Sequence, residues 1–258
     1  MSGNILEFQD VTVTFGSETI YDRLTFQVRR GEFLCILGPS GCGKSTSLRL
    51  MGDLLQANSG SVSVDGEPPS QGCKKLAYIF QSPRLVPWRT ALGNVMLGME
   101  LRQDNPDKQQ MEETARRLLT LVGLSRDMDK YPAMLSGGER QRVSIARALS
   151  VDPDIILMDE PFSALDLNTR LRMRAEIERI WQETGKTTVF VTHDIEEALV
   201  LGDRILLLSN KPTRTLEMLE IDEPRPRNIS DSATLSARKD HLVSLFRQLE
   251  TGSNEEAA

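Results

Sequence analysis

One stretch constrains this chain more than any other: Phe33-Leu34-Cys35-Ile36-Leu37, followed at once by Gly38-Pro39-Ser40-Gly41-Cys42-Gly43-Lys44-Ser45. Five consecutive apolar residues have strand length and no alternation, the pattern of a parallel strand buried on both faces. The eight residues after it fill every fixed position of the spacing G-x-x-x-x-G-K-[ST]. Three glycines let the backbone curl inward, so that successive N–H groups face anionic oxygens. Lys44 adds a positive charge within reach of β and γ phosphates, and the Ser45 hydroxyl suits Mg²⁺. The helix that opens here, with Thr46 in its first turn, points its positive end at the same anion. Residues 38–46 are therefore expected to cradle a triphosphate.

The whole chain bounds what can surround that loop. Its 258 residues suffice for one α/β core carrying a subdomain, and not for two such cores. A formal net charge of -6 gives no electrostatic footprint for nucleic acid, and no nucleic-acid partner is expected. The three cysteines, at 35, 42 and 73, show no metal-ligand spacing and cannot all pair, which suits a reducing compartment. Cys42, inside the loop, is expected to be open to alkylating reagents and protected by bound nucleotide. No secretory leader and no membrane-length apolar run is visible, so a cytoplasmic chain is expected, with any membrane role supplied by a partner.

In chain order, alternation at Leu6, Phe8, Val11, Val13 and Phe15, and again at Leu24, Phe26 and Val28, predicts an antiparallel β lobe. A helix over 45–55 and a hairpin at 61–66 follow, then a strand over 76–80 that delivers Gln81 into a segment carrying Pro83 and Pro87, unsuited to regular helix or inner strand. Residues 91–135 read as helical, with one helix over 91–101 and a second over 107–122. Ser136 with Glu139 three residues on forms a capping box for the next helix. Ile155-Ile156-Leu157-Met158-Asp159 is a second buried strand, and an alternating β/α series continues to 208. Beyond it lie a strand pair at 216–221, the run Glu223-Pro224-Arg225-Pro226-Arg227, an amphipathic helix over 232–249 and a tail, 251–258, expected to be disordered. The predicted class is an α/β P-loop nucleotide-binding fold with a mostly parallel central sheet, an antiparallel β lobe and a helical subdomain inserted at about 88–150. It is expected to occupy 1–210, with 211–258 as a C-terminal extension.

Asp159 and Glu160 stand at the C-terminal end of a buried strand, where ligands gather in open parallel sheets. Asp159 is expected to help hold Mg²⁺ near the γ phosphate, and Glu160 to face the attacking water.

Leu135-Ser136-Gly137-Gly138-Glu139-Arg140-Gln141-Arg142 resembles the signature sequence of the ATP-binding cassette family. The resemblance covers about 6–208, with the motifs in family order. It implies a MgATP-hydrolysing ATPase working as a head-to-tail dimer, each site combining one chain's phosphate loop with Ser136, Gly137 and Gly138 of the other. By the same resemblance Gln81 senses Mg²⁺ and water, Asp166 lies in a loop joining the two sites, His193 holds the γ phosphate and Phe15 stacks on adenine. Two departures stand out. Glu139 occupies a position where the family often has glutamine, and Phe15 keeps a stacking face without a tyrosine hydroxyl.

A narrower resemblance rests on residues 81–90, with Trp88, and on the Pro-Arg-Pro-Arg run at 224–227. Both are similar to the ATPases of importers for nitrate, taurine and aliphatic sulfonates. That implies two copies of this chain on the cytoplasmic membrane face beneath two permease subunits, with an extracytoplasmic solute-binding protein. The alternative is a soluble ATPase of the same family acting as a mechanical clamp. It is disfavoured because the chain has neither a long coiled-coil insertion nor a second cassette.

Overall fold

The structure, a computed structural model, describes residues 3–102, 107–163 and 165–255. The strands, in chain order, are β1 (Asn4–Phe15), β2 (Glu18–Arg29), β3 (Phe33–Leu37), β4 (Ser59–Val64), β5 (Leu76–Ile79), β6 (Ile155–Asp159), β7 (Thr187–Thr192), β8 (Arg204–Leu208) and β9 (Thr215–Glu220). The helices are α1 (Lys44–Met51), the single turn α2 (Pro69–Gly72), α3 (Ala91–Glu100), α4 (Lys108–Leu121), α5 (Gly137–Leu149), α6 (Leu167–Thr184), α7 (Ile195–Leu201) and α8 (Ala233–Glu255). Contacts divide the chain into two units, one of Met1–Lys74 with Thr187–Ala258 and one of Lys75–Lys186.

In the first unit β1 is the centre of an antiparallel sheet, with β2 on one side (Leu6 opposite Val28, Phe8 opposite Phe26) and β4 on the other (Phe8 opposite Val62). Alternation buries Leu6, Phe8, Val11 and Val13, and the Phe8 and Phe26 rings stack at 4.4 Å. The register shifts between Phe8 and Val11, where Asp10 takes φ +49, so a bulge keeps the apolar residues on one face. The hairpin expected at 61–66 is instead the strand β4 paired to β1, with a single bridge from Val64 to Glu67 beyond the turn. Alternation marks a strand without naming its partner.

The same unit holds a parallel set, β7 and β8 flanking β3, with β9 antiparallel to β8. All five residues of β3 are buried, as a strand covered on both faces requires. Leu37 pairs with Thr192 on one side and with Leu207 on the other, so the chain leaves β3, β7 and β8 at one sheet edge. Residues 216–221 contribute one strand rather than a pair, because the partner is β8. Arg225 and Arg227 close the far end of α7: Arg225 donates to Leu201 O and pairs with Asp203, while Arg227 donates to Leu199 O, Gly202 O and Ile221 O. Cations at a helix C-terminus satisfy its last carbonyls, and burial pushes Arg227 down to about 10. Helix α8 buries Leu235 and Leu242 and packs on α7. It runs through 251–255, which the sequence reading left disordered; 256–258 lie outside the described residues.

In the second unit β5 and β6 are parallel, Ile79 opposite Met158, and the helices α3, α4 and α5 pack against one another, with Val95, Met99, Leu119, Val143 and Ala146 buried. Thr90, Asp107, Ser136 and Asp166 each cap the helix that follows. The residues Asn105 and Pro106, read as the break between the first two of these helices, lie outside the described residues. Among the described residues, no helix is long and apolar enough to cross a membrane.

Candidate functional site

The phosphate loop leaves β3 and enters α1 at Lys44, with Gly41 at φ +78 and Gly43 at φ +102. Gly43 is the N-cap of α1, and its carbonyl accepts from Thr46 N at 2.7 Å and from Ser47 N at 3.2 Å. The N–H groups of Gly41 and Gly43 donate to no protein acceptor among the described residues, while Cys42 N donates to Pro39 O at 3.3 Å. Lys44 is buried, and its ammonium donates to Gly38 O and Pro39 O, each at 2.9 Å, so the charge is folded back across the loop. Unpaired amides, a helix N-terminus and a confined ammonium suit the phosphates of a nucleotide.

Cys42 is only 2 % exposed, and burial pushes its thiol above the ordinary range against the lowering pull of Lys44. The expectation of ready alkylation is thereby corrected: a small residue was needed in the loop's packing, and it faces inward. Phe15 ends β1 at 48 % exposure, opposite Glu18 across the turn, so its ring is not spent on the lobe's core. His193 directly follows β7 and is exposed, and the next residue, Asp194, caps α7 by accepting from Glu196 N and Glu197 N. The β3–β7 register brings His193 and the phosphate loop out at the same sheet edge.

In the second unit the β5–β6 register does the same for Gln81 and the acidic pair. Asp159 accepts from the Tyr78 hydroxyl at 3.1 Å. Glu160 has φ +42 and precedes Pro161, a left-handed conformation that is costly for a side-chain-bearing residue and doubly restricted before proline. Gln81 donates to Ser163 Oγ at 3.0 Å, and that hydroxyl donates to Glu160 O at 3.1 Å, so a short polar chain joins the two strand ends. Asp166 accepts from Thr169 N at 3.1 Å, and the Thr169 side chain first, then this backbone bond, holds its carboxyl below the usual range.

The signature segment is a helix start. Ser136 Oγ accepts from Glu139 N at 3.3 Å, and the Glu139 carboxylate accepts from Ser136 N at 2.7 Å. Glu139 is thus occupied as the reciprocal half of a capping box, a role that glutamate and glutamine both fill. Gly137 and Gly138 open the first turn of α5: Gly137 is exposed, whereas Gly138 is buried and a Cβ there would stand 2.8 Å from Thr169 Cγ2.

Sequence reading missed the residues that hold these loops. Asn94 is fully buried and serves four backbone groups of the 81–90 segment: it accepts from Val86 N at 2.7 Å and donates to the carbonyls of Val86, Arg89 and Thr90 at 3.0 to 3.1 Å. Arg147 donates to Pro83 O at 2.9 Å and Arg84 O at 3.0 Å. Trp88 stands out of this segment at 77 % exposure. A cavity of about 490 Å³ lies at the start of the segment, lined by Gln81, Ser82 and Pro83 together with Gly137, Arg140 and Gln141.

The family model described as "ABC transporter" matches residues 21–163, more than half of the chain. The chain belongs to the ABC transporter family. A nitrate import ATP-binding protein, NrtD, of Synechococcus elongatus is 38% identical over 252 residues, covering 94% of this chain and 92% of that one. An aliphatic sulfonates import ATP-binding protein, SsuB, of Burkholderia ambifaria is 41% identical over 241 residues, 93% of this chain and 72% of that one. Among solved structures, a dimeric ATP-binding cassette in a post-hydrolysis state bound to ADP and Pi superposes with a TM-score of 0.74 at 32% identity, covering 85% of this chain and all of that one. As a member of this family the chain is an ATP-binding subunit and an ATPase, with the α/β fold read from its sequence.

Proposed function

We propose that the chain hydrolyses MgATP as one of two head-to-tail subunits driving an importer for a small solute such as nitrate, taurine or an aliphatic sulfonate. The observation that carries the solute class is the similarity, over more than nine-tenths of this chain, to NrtD and SsuB at 38% and 41% identity. In this reading the cassette spans 1–210, with a helical subdomain at about 88–150, and 211–258 extends it.

When bound, MgATP supplies the scissile phosphoanhydride and the cation that offsets its charge. The oxygen donors assigned to Mg²⁺, the Ser45 hydroxyl, the Gln81 amide and the Asp159 carboxylate, match that hard cation, which keeps few protein ligands and binds largely through phosphates. The loop of residues 38–46, through backbone amides such as those of Gly41 and Gly43 and through Lys44, binds the phosphates, Phe15 stacks on adenine, Glu160 orients and deprotonates the water, and His193 holds the γ phosphate. Ser136, Gly137 and Gly138 of the second copy close the site, with Asp166 beside them. Catalysis is then positioning and charge neutralisation rather than covalent chemistry.

The cavity beside 81–90 suits a short helix of a permease subunit, with Trp88 as an aromatic anchor. Such a chain works on the cytoplasmic membrane face, held there by two permease subunits and fed by an extracytoplasmic solute-binding protein. Copurification with the membrane partner, then ATPase assay with its solute-binding protein, tests this reading. Stimulation by nitrate, taurine or a sulfonate is expected; stimulation by an unrelated class of solute, or by nucleic acid without permease, would overturn it.

A further inference from the structure

Two hydroxyls behind the phosphate loop have no part in the chemistry above. Thr213 Oγ1 donates to Cys42 O at 2.6 Å, and the Tyr21 hydroxyl donates to Gly43 O. Both residues are fully buried. They belong to strands of chain far apart in sequence that meet as an isolated parallel bridge, with Thr213 N donating to Ile20 O at 2.7 Å and Asp22 N to Thr213 O at 3.3 Å.

We propose that Thr213 and Tyr21 are positioning residues for nucleotide binding, a hydroxyl clamp that fixes two peptide planes of the phosphate loop so that their N–H groups face the phosphates. The inference rests on the phosphate-loop reading and deepens it. A trans peptide is planar, with its N–H directed opposite its C=O. Holding Cys42 O from behind therefore aims Gly43 N–H forward, and holding Gly43 O does the same for Lys44 N–H. Gly43 lacks the steric restriction that would otherwise discourage a flip of the plane before it, and a flipped plane would turn a carbonyl oxygen toward an anion. The second plane is also secured by α1, since Gly43 O accepts from Thr46 N and Ser47 N. Cys42 O has Thr213 as its donor, so Thr213 carries the larger share. Burial raises the Tyr21 hydroxyl above its ordinary range, which keeps it protonated and a donor at any physiological pH. Thr213 in turn sits in the 209–214 segment, where Asn210 Nδ2 donates to Leu249 O of α8 at 2.6 Å.

The test compares the full chain with Thr213→Val, which keeps the shape and loses the hydroxyl, Thr213→Ser, which keeps it, and Tyr21→Phe. Thr213→Val is expected to weaken MgADP and MgATP binding about three- to tenfold, the worth of one neutral hydrogen bond. Thr213→Ser should restore affinity to within about twofold, and Tyr21→Phe should fall between. KM should rise in step with the dissociation constant while kcat at saturating ATP stays within about twofold, because the clamp serves ground state and transition state alike. Wild-type affinity in Thr213→Val with a lowered melting temperature, or an equal loss in Thr213→Ser, would overturn the clamp. Should Thr213→Val fail to fold, Tyr21→Phe decides by the same comparison. Lys44→Ala separates the two layers: undiminished MgADP binding there would overturn the phosphate-loop reading itself, whereas a loss there with none in Thr213→Val or Tyr21→Phe overturns the clamp alone.

Discussion

Gly43→Ala is expected to cost far more than Gly41→Ala, although the two glycines are two residues apart and both have positive φ. At Gly41, φ is +78 and an added methyl would meet nothing within 4 Å, so the cost is backbone strain alone, about 1 to 2 kcal/mol. At Gly43, φ is +102 and the methyl would stand 2.7 Å from Ile20 Cγ2 and 2.9 Å from Tyr21 Cε1. Carbon pairs rest at about 3.5 to 4.0 Å. Neither neighbour can yield easily: one is a β-branch methyl on a strand, and the other is a buried ring tied through its hydroxyl to Gly43 itself. Overpacking of this kind adds about 1 to 3 kcal/mol to the strain, for a total of about 2 to 5 kcal/mol. Urea unfolding should be followed by circular dichroism, because the two tryptophans, Trp88 and Trp181, both lie in the second unit and would report on the wrong part of the chain. Equal losses at the two glycines, or a Gly43→Ala chain as stable as wild type, would refute the packing argument.

Phe15→Ala should weaken ATP binding by about 1 to 3 kcal/mol, the worth of a base stacked on an aromatic, with unfolding midpoints little changed because the ring is half exposed; a large loss of stability with intact affinity would return Phe15 to the core. Cys42 should react with iodoacetamide at pH 8 more slowly than Cys73, because burial both blocks access and raises the thiol, so its thiolate fraction at that pH is smaller and grows only as pH rises further; mass spectrometry showing Cys42 labelled first would contradict this. Asn94→Ala should cost about 2 to 3 kcal/mol and increase hydrogen exchange across 83–90, since it orphans Val86 N–H and three carbonyls, and Asn94→Asp should do no better because its carboxylate would face those carbonyls. A wild-type exchange pattern in either variant would count against Asn94 as the organiser of that loop.

The parts of the fold that could be read from sequence are those coded by contiguous residues. The apolar run of β3, the capping box at Ser136 and Glu139, and the acid-terminated strand β6 each announce themselves within eight residues, and all three form as read. Pairing partners were not coded that way. The alternation at 61–66 marks β4 but is silent on its pairing to β1, and the apolar positions of 216–221 look the same whether they pair with each other or with β8. The supports of the loops were invisible for a similar reason. Thr213 reaches Cys42 across 171 residues, Arg147 reaches Pro83 across 64, and nothing in the local pattern around a threonine or an arginine foretells a carbonyl so far away.

The most direct measurement of the central claim uses Glu160→Gln, which keeps the side chain's size and hydrogen bonding while removing the carboxylate proposed as the base. Glu160 stands at the end of β6 beside Asp159, so hydrolysis should fall by at least the roughly 10²- to 10⁴-fold typical of losing a general base, with MgATP binding retained. With cleavage blocked, two chains should stay joined through two bound nucleotides, and gel filtration should show an ATP-dependent dimer that Ser136→Arg, added to the same chain, abolishes. A Glu160→Gln chain that hydrolyses ATP near the wild-type rate, or an ATP-bound dimer that survives Ser136→Arg, would contradict it.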